Sequence, residues 1–317
     1  MDRLVVSLVL GRLGVTLVTL IIVSFVVFAA TEMLPGDVAQ ILLGQAATPE
    51  AVAGLRTAMR LDDPSFLRFL RWMFGLLGGN LGTSYANNMA VADLIGVRLL
   101  NTLKLATVTA TVAVPIALLL GITTAMYRGS LYDRIVNTLV IGVISVPEFV
   151  IATLAVLVFA VWLRWLPALS FATDITDFGA LLRAFAMPVI TLCFVISAQM
   201  IRMTRASVIE TLKAPYVEMA LLKGASRSRM VLRHALPNAI GPIVNAVALS
   251  LSYLLGGVVI VETIFNYPGI AKLMVDAVST RDLPLIQSCV MILCLGYLAL
   301  ITAADIVAIL SNPRLRK

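Results

Sequence analysis

The sequence carries little charge, one histidine and three cysteines. Only 13% of its 317 residues are charged and 60% are hydrophobic. Soluble domains hold about 25% charged residues, so a soluble protein with an ordinary polar surface is excluded. The single histidine, His234, has no cysteine or carboxylate constellation near it in sequence, which excludes a metal site built around it. Cys193, Cys289 and Cys294 all lie inside apolar runs and form neither a disulfide framework nor a zinc cluster. There is no Gly-x-x-x-x-Gly-Lys-Ser/Thr string and no serine–histidine–acid or paired-histidine signature. That excludes ATP hydrolysis by a P-loop within this chain and leaves no hydrolase site. The alternating pattern of a membrane barrel is missing too, and no segment repeats at a fixed period.

What is present is a set of long apolar runs. A bilayer takes about 20 helical residues to cross. Six spans meet that length, at roughly 10–31, 99–127, 135–163, 186–205, 237–261 and 285–310. Inside lipid the backbone must satisfy itself, so these are helices, and the chain reads as an all-α polytopic membrane protein with one transmembrane domain over 1–317. The run from Val15 to Ala30 is too long for a signal-peptide core, and Glu32-Met33-Leu34-Pro35 is a poor cleavage context, so it reads as a retained first span. Ser145-Val146-Pro147-Glu148 predicts a kink in the third span, because proline removes a helical donor.

The net charge of +7 follows topology. With the N-terminus inside, the inner side holds fourteen lysines and arginines against four acids. That bias places both termini in the cytoplasm. No basic patch comes with an aromatic reading surface, so no nucleic-acid partner is expected; the expected surroundings are a lipid membrane.

The first outer loop, 32–98, reads as an extracytoplasmic helical segment. Thr48-Pro49-Glu50 predicts a helix start, with a threonine cap, proline at the first position and an acid at the positive end; the helix should stop near Leu61-Asp62-Asp63-Pro64. A second helix follows, rich in Phe66, Phe69, Trp72 and Phe74, and is expected to dock on the membrane body or its interface. Gly78-Gly79-Asn80-Leu81-Gly82 and Asn266-Tyr267-Pro268-Gly269 predict turns. The short loop near 165–185 carries Asp174 and Asp177.

The basic loop at 206–235 is the informative cytoplasmic segment. Its first part has helical composition apart from Pro215, Gly224 suits a left-handed helix end, and Ser226 suits the cap of the next helix. The result is a helix–glycine–helix elbow with small residues Ala220, Gly224 and Ala225 near its tip and Arg227, Arg229 and Arg233 alongside. Composition alone fits a solvated, topology-setting loop as well as a docking surface. Within the spans, ionisable groups are costly and mark candidates for function, here Glu148 and Asp305, with Arg202 near a span end; an internal ion pair or a place at the interface is the alternative reading of each. Asn245, Ser250 and Ser252 could line a pathway or bond between helices.

The chain resembles the dipeptide/oligopeptide/nickel permease branch of the ABC-importer inner-membrane family along nearly its whole length. The resemblance rests on Leu34-Pro35-Gly36-Asp37, Leu61-Asp62, Asn80-Leu81-Gly82-Thr83-Ser84-Tyr85, Trp162-Leu163-Arg164-Trp165-Leu166-Pro167, Thr204-Arg205-Ala206-Ser207, Tyr216-Val217-Glu218, Arg233-His234-Ala235-Leu236-Pro237-Asn238-Ala239, Glu262-Thr263-Ile264-Phe265 with Pro268-Gly269, and Asn312-Pro313-Arg314. Asn80 and Asn312 stand where aspartate is usual, and Met219 stands where the loop motif has alanine. The resemblance implies a six-helix, type I ABC-importer permease fold with a cytoplasmic coupling-helix loop. It implies that Glu218, Met219, Ala220, Gly224, Ala225, Ser226 and Arg227 couple to an ATPase. It also implies a bacterial or archaeal inner membrane, a second homologous permease chain, two ATP-binding subunits that carry ATP and Mg, and an extracytoplasmic solute-binding protein; no cofactor belongs to this chain itself. The competing readings are an ion-coupled secondary transporter or channel, which would need paired broken spans, and a membrane enzyme, which lacks a catalytic cluster.

Overall fold

Apolar runs of this length have one low-energy backbone in lipid, the helix, and helices account for nearly all of the regular structure. The structure is a computed structural model and describes residues 3–170 and 178–311. Asp174, Asp177 and Asn312-Pro313-Arg314 lie outside the described residues. In chain order the helices are α1 (Arg3–Glu32), α2 (Val38–Leu43), α3 (Pro49–Ala58), α4 (Ser65–Leu77), α5 (Val91–Met126), α6 (Leu131–Ser145), α7 (Glu148–Ala155), α8 (Phe178–Leu212), α9 (Pro215–Leu222), α10 (Arg227–Arg229), α11 (Leu236–Ile264), α12 (Ile270–Thr280) and α13 (Leu283–Ser311). Wider π turns extend α7 over Val156–Trp162 and join α10 to α11 over Met230–Ala235. Among the described residues the β pairing is limited to a single bridge between Thr83 and Ala90. The chain forms two compact units: one from Met1–Thr16, Lys104–Tyr267 and Gly296–Lys317, the other from Leu17–Leu103 and Pro268–Leu295.

In the first unit, α8 packs against α11 and α6. Lipid removes most of the hydrophobic drive for helix association, so close packing through small residues has to supply it. Ala117, Ala198, Met200 and Ile201 form one buried cluster with Val140; Ala125, Val208, Val231, Ala239 and Ile243 form another. Gly121 lets α5 meet α8 closely: a Cβ there would sit 2.8 Å from Thr204 Cβ.

The third apolar segment is not a kinked helix. α6 and the α7 segment meet at 102°. Val146 (φ −97°, ψ 128°) and Pro147 (φ −58°, ψ 141°) are both extended, so the helix stops and restarts instead of bending. Neither half reaches the roughly 20 residues that a crossing needs, yet together they cross. Asp133, at the start of α6, is gripped by Arg205 near the loop end of α8 (2.8 and 2.9 Å). Beyond α7, the Ser170 N–H donates to the Phe265 carbonyl at 2.8 Å, at the opposite end of α11 from the elbow. The broken pair therefore counts as one traverse, and with the five long apolar helices gives six.

In the second unit, the extramembrane helices start as their capping residues predict. Thr48 Oγ1 accepts the Ala51 N–H at 3.2 Å, with Pro49 in the first turn. Gly36 (φ +101°) turns the chain so that Asp37 caps α2, accepting from Ala39 N at 2.8 Å and Gln40 N at 3.3 Å. Asp37 also pairs with Arg56, and Arg56 Nε donates to Asp62 at 2.9 Å. The Pro-Gly-Asp and Leu-Asp marks of the loop thus meet on one guanidinium. Asn80 keeps the acceptor that an aspartate would offer, taking the Gly82 N–H at 2.9 Å.

α4 docks with only part of its aromatic content. Phe69 stacks edge-on against Phe25 and Phe28, with ring centroids 5.7 and 5.4 Å away, and Trp72 lies 6.1 Å from Phe28. Phe66 and Phe74 project from the other face and stay 66% and 67% exposed, an apolar side that packing on α1 leaves uncovered. The helix has one face toward α1, and the remaining residues at 100° spacing cannot share it. Two further differences concern boundaries. α5 begins at Val91, not near 99, because Val91 and Ile95 already belong to a buried cluster with Ile270, Ala277 and Leu285. α12 falls in a stretch read only as a turn.

Candidate functional site

The first candidate site is the elbow between α8 and α11. α9 ends in a Schellman arrangement: Gly224 is left-handed (φ +79°), and the Ala225 N–H reaches back to the Ala220 carbonyl at 3.1 Å. No atom lies within 4 Å of where a Gly224 Cβ would point, so the glycine is required by backbone angle alone. Val217 is buried and anchors α9, which packs on the π turn that follows. Glu218, Met219, Gly224, Ser226 and Arg227 are exposed, and Ala220 and Ala225 are half-buried. The elbow therefore presents all seven predicted coupling residues around one turn, with an acid, an arginine and the apolar Met219 and Leu222 at the surface.

Ser226 departs from its expected role. It has the extended backbone of a capping residue (φ −66°, ψ 155°), but its side chain caps nothing; its hydroxyl lies 3.5 Å from that of Ser228. The next turn widens instead. Pro237 has no N–H to return to Arg233, four residues back, and the turn over Met230–Ala235 takes π geometry. The Asn238 side-chain amide supplies the His234 carbonyl with a donor at 2.9 Å.

The second candidate site is a cavity of about 630 Å³ at the break between α6 and α7, lined in part by Ser145, Glu148, Gln199, Ser250, Tyr253 and Tyr297. Glu148 stands in the first turn of α7 with its carboxylate against α11. A Cβ on Gly257 would lie 2.6 Å from Glu148 Oε1, so the glycine makes the space that the carboxylate fills. That oxygen is enclosed and accepts no hydrogen bond from any described group. Ser250 Oγ donates to the Ala246 carbonyl of its own helix at 2.9 Å, and Ser252 Oγ does the same to Ala248 at 2.8 Å; neither bonds between helices. Arg202 Nη2 donates to Gln199 Oε1 at 3.1 Å.

Of the four residues proposed from sequence for a pathway, Glu148 and Ser250 line this cavity. Asn245 is exposed and does not. Asp305 does not line it either; its carboxylate takes Arg12 at 3.1 Å, the internal ion pair that was the alternative reading for an acid in a span. Gln199, Tyr253, Tyr297 and Gly257 were missed. The signals that could have found them were a polar or aromatic-hydroxyl residue inside an apolar run and the Gly256-Gly257 pair within a span.

With this geometry in place, comparison with known proteins adds the following. Residues 117–317 match the family described as binding-protein-dependent transport system inner membrane component. Residues 5–106 match its N-terminal membrane component counterpart. The chain is 33% identical over 308 residues to a probable peptide ABC transporter permease protein, y4tP, of Sinorhizobium fredii, covering 97% of this chain and 98% of that one. It is 34% identical over 308 residues to the glutathione transport system permease protein GsiC of Escherichia coli, with the same coverage. A putative peptide transport system permease protein of Brucella abortus is 31% identical over 310 residues, covering 98% and 99%.

Proposed function

The chain belongs to the family of binding-protein-dependent transport system inner membrane components, and from that premise we propose that it forms half of the translocation pathway of an ATP-driven importer for short peptides or peptide-like solutes. The observation that carries this reading is the end-to-end match to peptide and glutathione permeases, 97% of this chain against 98% of theirs. The elbow supplies the mechanical part. A short helix held on a π turn, with small and exposed residues around Gly224, suits insertion into a groove of an ATP-binding subunit. Closure of two such subunits on ATP and Mg would push two elbows together and tilt the spans between inward- and outward-facing states, a rigid-body exchange of two packings. A second homologous permease would complete the pathway, because one half leaves its polar face toward lipid. An external solute-binding protein would deliver cargo. In this reading the chain hydrolyses nothing itself, its termini and the elbow face the cytoplasm, and Thr83 faces outside.

The test is reconstitution. Co-expressed with its second permease and ATP-binding subunits, the chain should purify as a complex whose ATP hydrolysis rises when the loaded binding protein is added. A cysteine at Thr83, an exposed position, should be labelled by an impermeant reagent from outside only. Uptake by this chain alone, driven by a proton or sodium gradient, would overturn the reading in favour of a secondary transporter.

A further inference from the structure

Resting on the reading of this chain as a translocation subunit for peptide-class solutes, we propose that the cavity at the α6–α7 break is a relay site for a protonated amine, with Glu148 taking the ammonium group of the passing solute.

The break brings two half-helix ends to one cavity. α6 finishes at Ser145, and its last-turn carbonyls carry the negative end of the helix; the Val143 carbonyl takes the Val146 N–H at 3.2 Å. α7 begins at Glu148, and its positive end would ordinarily favour an anion. Glu148 cancels that preference from within the first turn. What remains is the negative end of α6 and a carboxylate whose Oε1 has no donor among the described residues.

The rest of the lining agrees in sign. Among the described residues, no lysine, arginine or histidine lines the cavity. The neighbouring cation on α8, Arg202, donates to Gln199 from outside the lining. Ser145 Oγ donates to the Ile141 carbonyl at 2.8 Å and Ser250 Oγ donates to Ala246 at 2.9 Å, so both hydroxyls have committed their hydrogens and offer lone pairs. Tyr253 and Tyr297 add aromatic faces of the kind that attract ammonium groups. Gln199 is oriented by Arg202: its oxygen faces the guanidinium, which leaves its amide hydrogens for a carbonyl. Acceptors around one carboxylate, with the Gln199 amide and the Tyr253 and Tyr297 hydroxyls as donors beside them, suit an ammonium followed by a peptide carbonyl. The cavity, about 630 Å³, lies in the range of roughly 300–1,000 Å³ that encloses small ligands.

The test measures binding to the assembled permease–ATPase complex without binding protein, by saturation-transfer NMR. The probes are trialanine and N-acetyl-trialanine, which keep the same backbone and differ in the amine charge. A charge-assisted hydrogen bond predicts about a tenfold preference of the native complex for trialanine. Glu148→Gln should bring the two probes level, and Glu148→Asp should keep part of the preference. Equal binding of both probes to the native complex, or no binding of trialanine, overturns the proposal. So does a preference that survives Glu148→Gln. Should Glu148→Gln fail to assemble, Gly257→Ala, which evicts the carboxylate from its seat, must reduce the preference in its place. The same native preparation, assayed for stimulation of ATP hydrolysis by the binding protein, separates the two readings. Absent stimulation strikes at the transporter reading, whereas normal stimulation with an unchanged preference in the variants removes the Glu148 assignment alone.

Discussion

Arg205 grips Asp133 through two parallel hydrogen bonds, Nε to Oδ1 at 2.8 Å and Nη2 to Oδ2 at 2.9 Å. Asp133 also accepts the Gly129 N–H at 2.9 Å, so one carboxylate ties the end of α8 to the turn that opens the broken span. The Asp133 side chain is buried and that of Arg205 is largely so. Removing one partner leaves the other without compensation. Asp133→Ala should therefore cost about 3 kcal/mol, the lower end of the range for a buried pair because Arg205 keeps some solvent. Arg205→Lys should recover little, since an ammonium cannot reproduce the two-pronged contact. Thermal unfolding in detergent reads both effects, and an unchanged midpoint for Asp133→Ala would show that the pair holds nothing.

Gly224 separates backbone demand from contact. Its φ of +79° lies where side chains are strained, yet nothing stands within 4 Å of an added Cβ. Gly224→Ala should cost about 1 kcal/mol and leave most of the binding-protein-stimulated ATP hydrolysis. Gly224→Pro fixes φ near −65° and should abolish transport while insertion proceeds, as should Glu218→Lys, which reverses a surface charge beside the turn. Normal substrate-coupled hydrolysis in the proline and lysine variants would remove the elbow from the coupling path.

Two glycines that look alike in sequence should respond differently to alanine. At Gly121 the new Cβ meets the β-branched Thr204 at 2.8 Å and the Ile201 carbonyl at 3.1 Å, atoms that cannot swing away. That overpacking should destabilise the protein by about 1–3 kcal/mol. At Gly257 the obstruction is the far end of Glu148, a flexible side chain that can swing aside. Gly257→Ala should leave the unfolding midpoint nearly unchanged. Equal losses of stability at both positions would contradict this division.

The outer segment should loosen in acid. Burial alone would raise the Asp37 carboxyl, but the hydrogen bond from Arg56, the Gln40 and Ala39 N–H groups and the Arg56 charge outweigh it and hold it below the usual aspartate range. A group depressed on folding contributes stability above its unfolded pKa and loses it as pH falls through the folded value. Protection of the α2 and α3 amides, taken relative to the intrinsic exchange rate at each pH, should thus be highest at neutral pH and fall as pH drops below the ordinary carboxylate range. Asp37→Asn should show the lower protection already at neutral pH; protection independent of pH in the native chain would refute the role of this charge.

Local chemistry was legible where it is settled within a few residues. Thr48-Pro49 starts a helix and Gly224 ends one because caps and φ angles depend on near neighbours. Pro147 announced an interruption, but its size was read too small: besides lacking an N–H, the proline drives the preceding Val146 out of the helical region, and the two extended residues together give the 102° turn. Asp305 could be marked as costly from sequence, but not its partner, because Arg12 lies at the other end of the chain. Asp282 was overlooked for the same reason. It is fully buried, pairs with Ser84 and accepts the Tyr85 N–H at 3.0 Å, nearly two hundred residues earlier in sequence. Glu148 was singled out correctly as costly, but the Gly257 seat that accommodates it belongs to α11 and could be seen only in three dimensions.

The π turn over Met230–Ala235 also sets a rotational phase. One residue more or less in a regular helical turn rotates everything before it by about 100° relative to everything after it, whereas a π turn takes the extra residue into the same turn. The wide turn therefore absorbs one residue of length between the elbow and α11. Deleting Leu232 would take up that slack and leave the elbow pointing as it does, while a deletion in the regular turns of α11 would swing it by about 100° about the helix axis. The aim of the elbow is thus protected against a change of length at this one place and at no regular turn of the same helix.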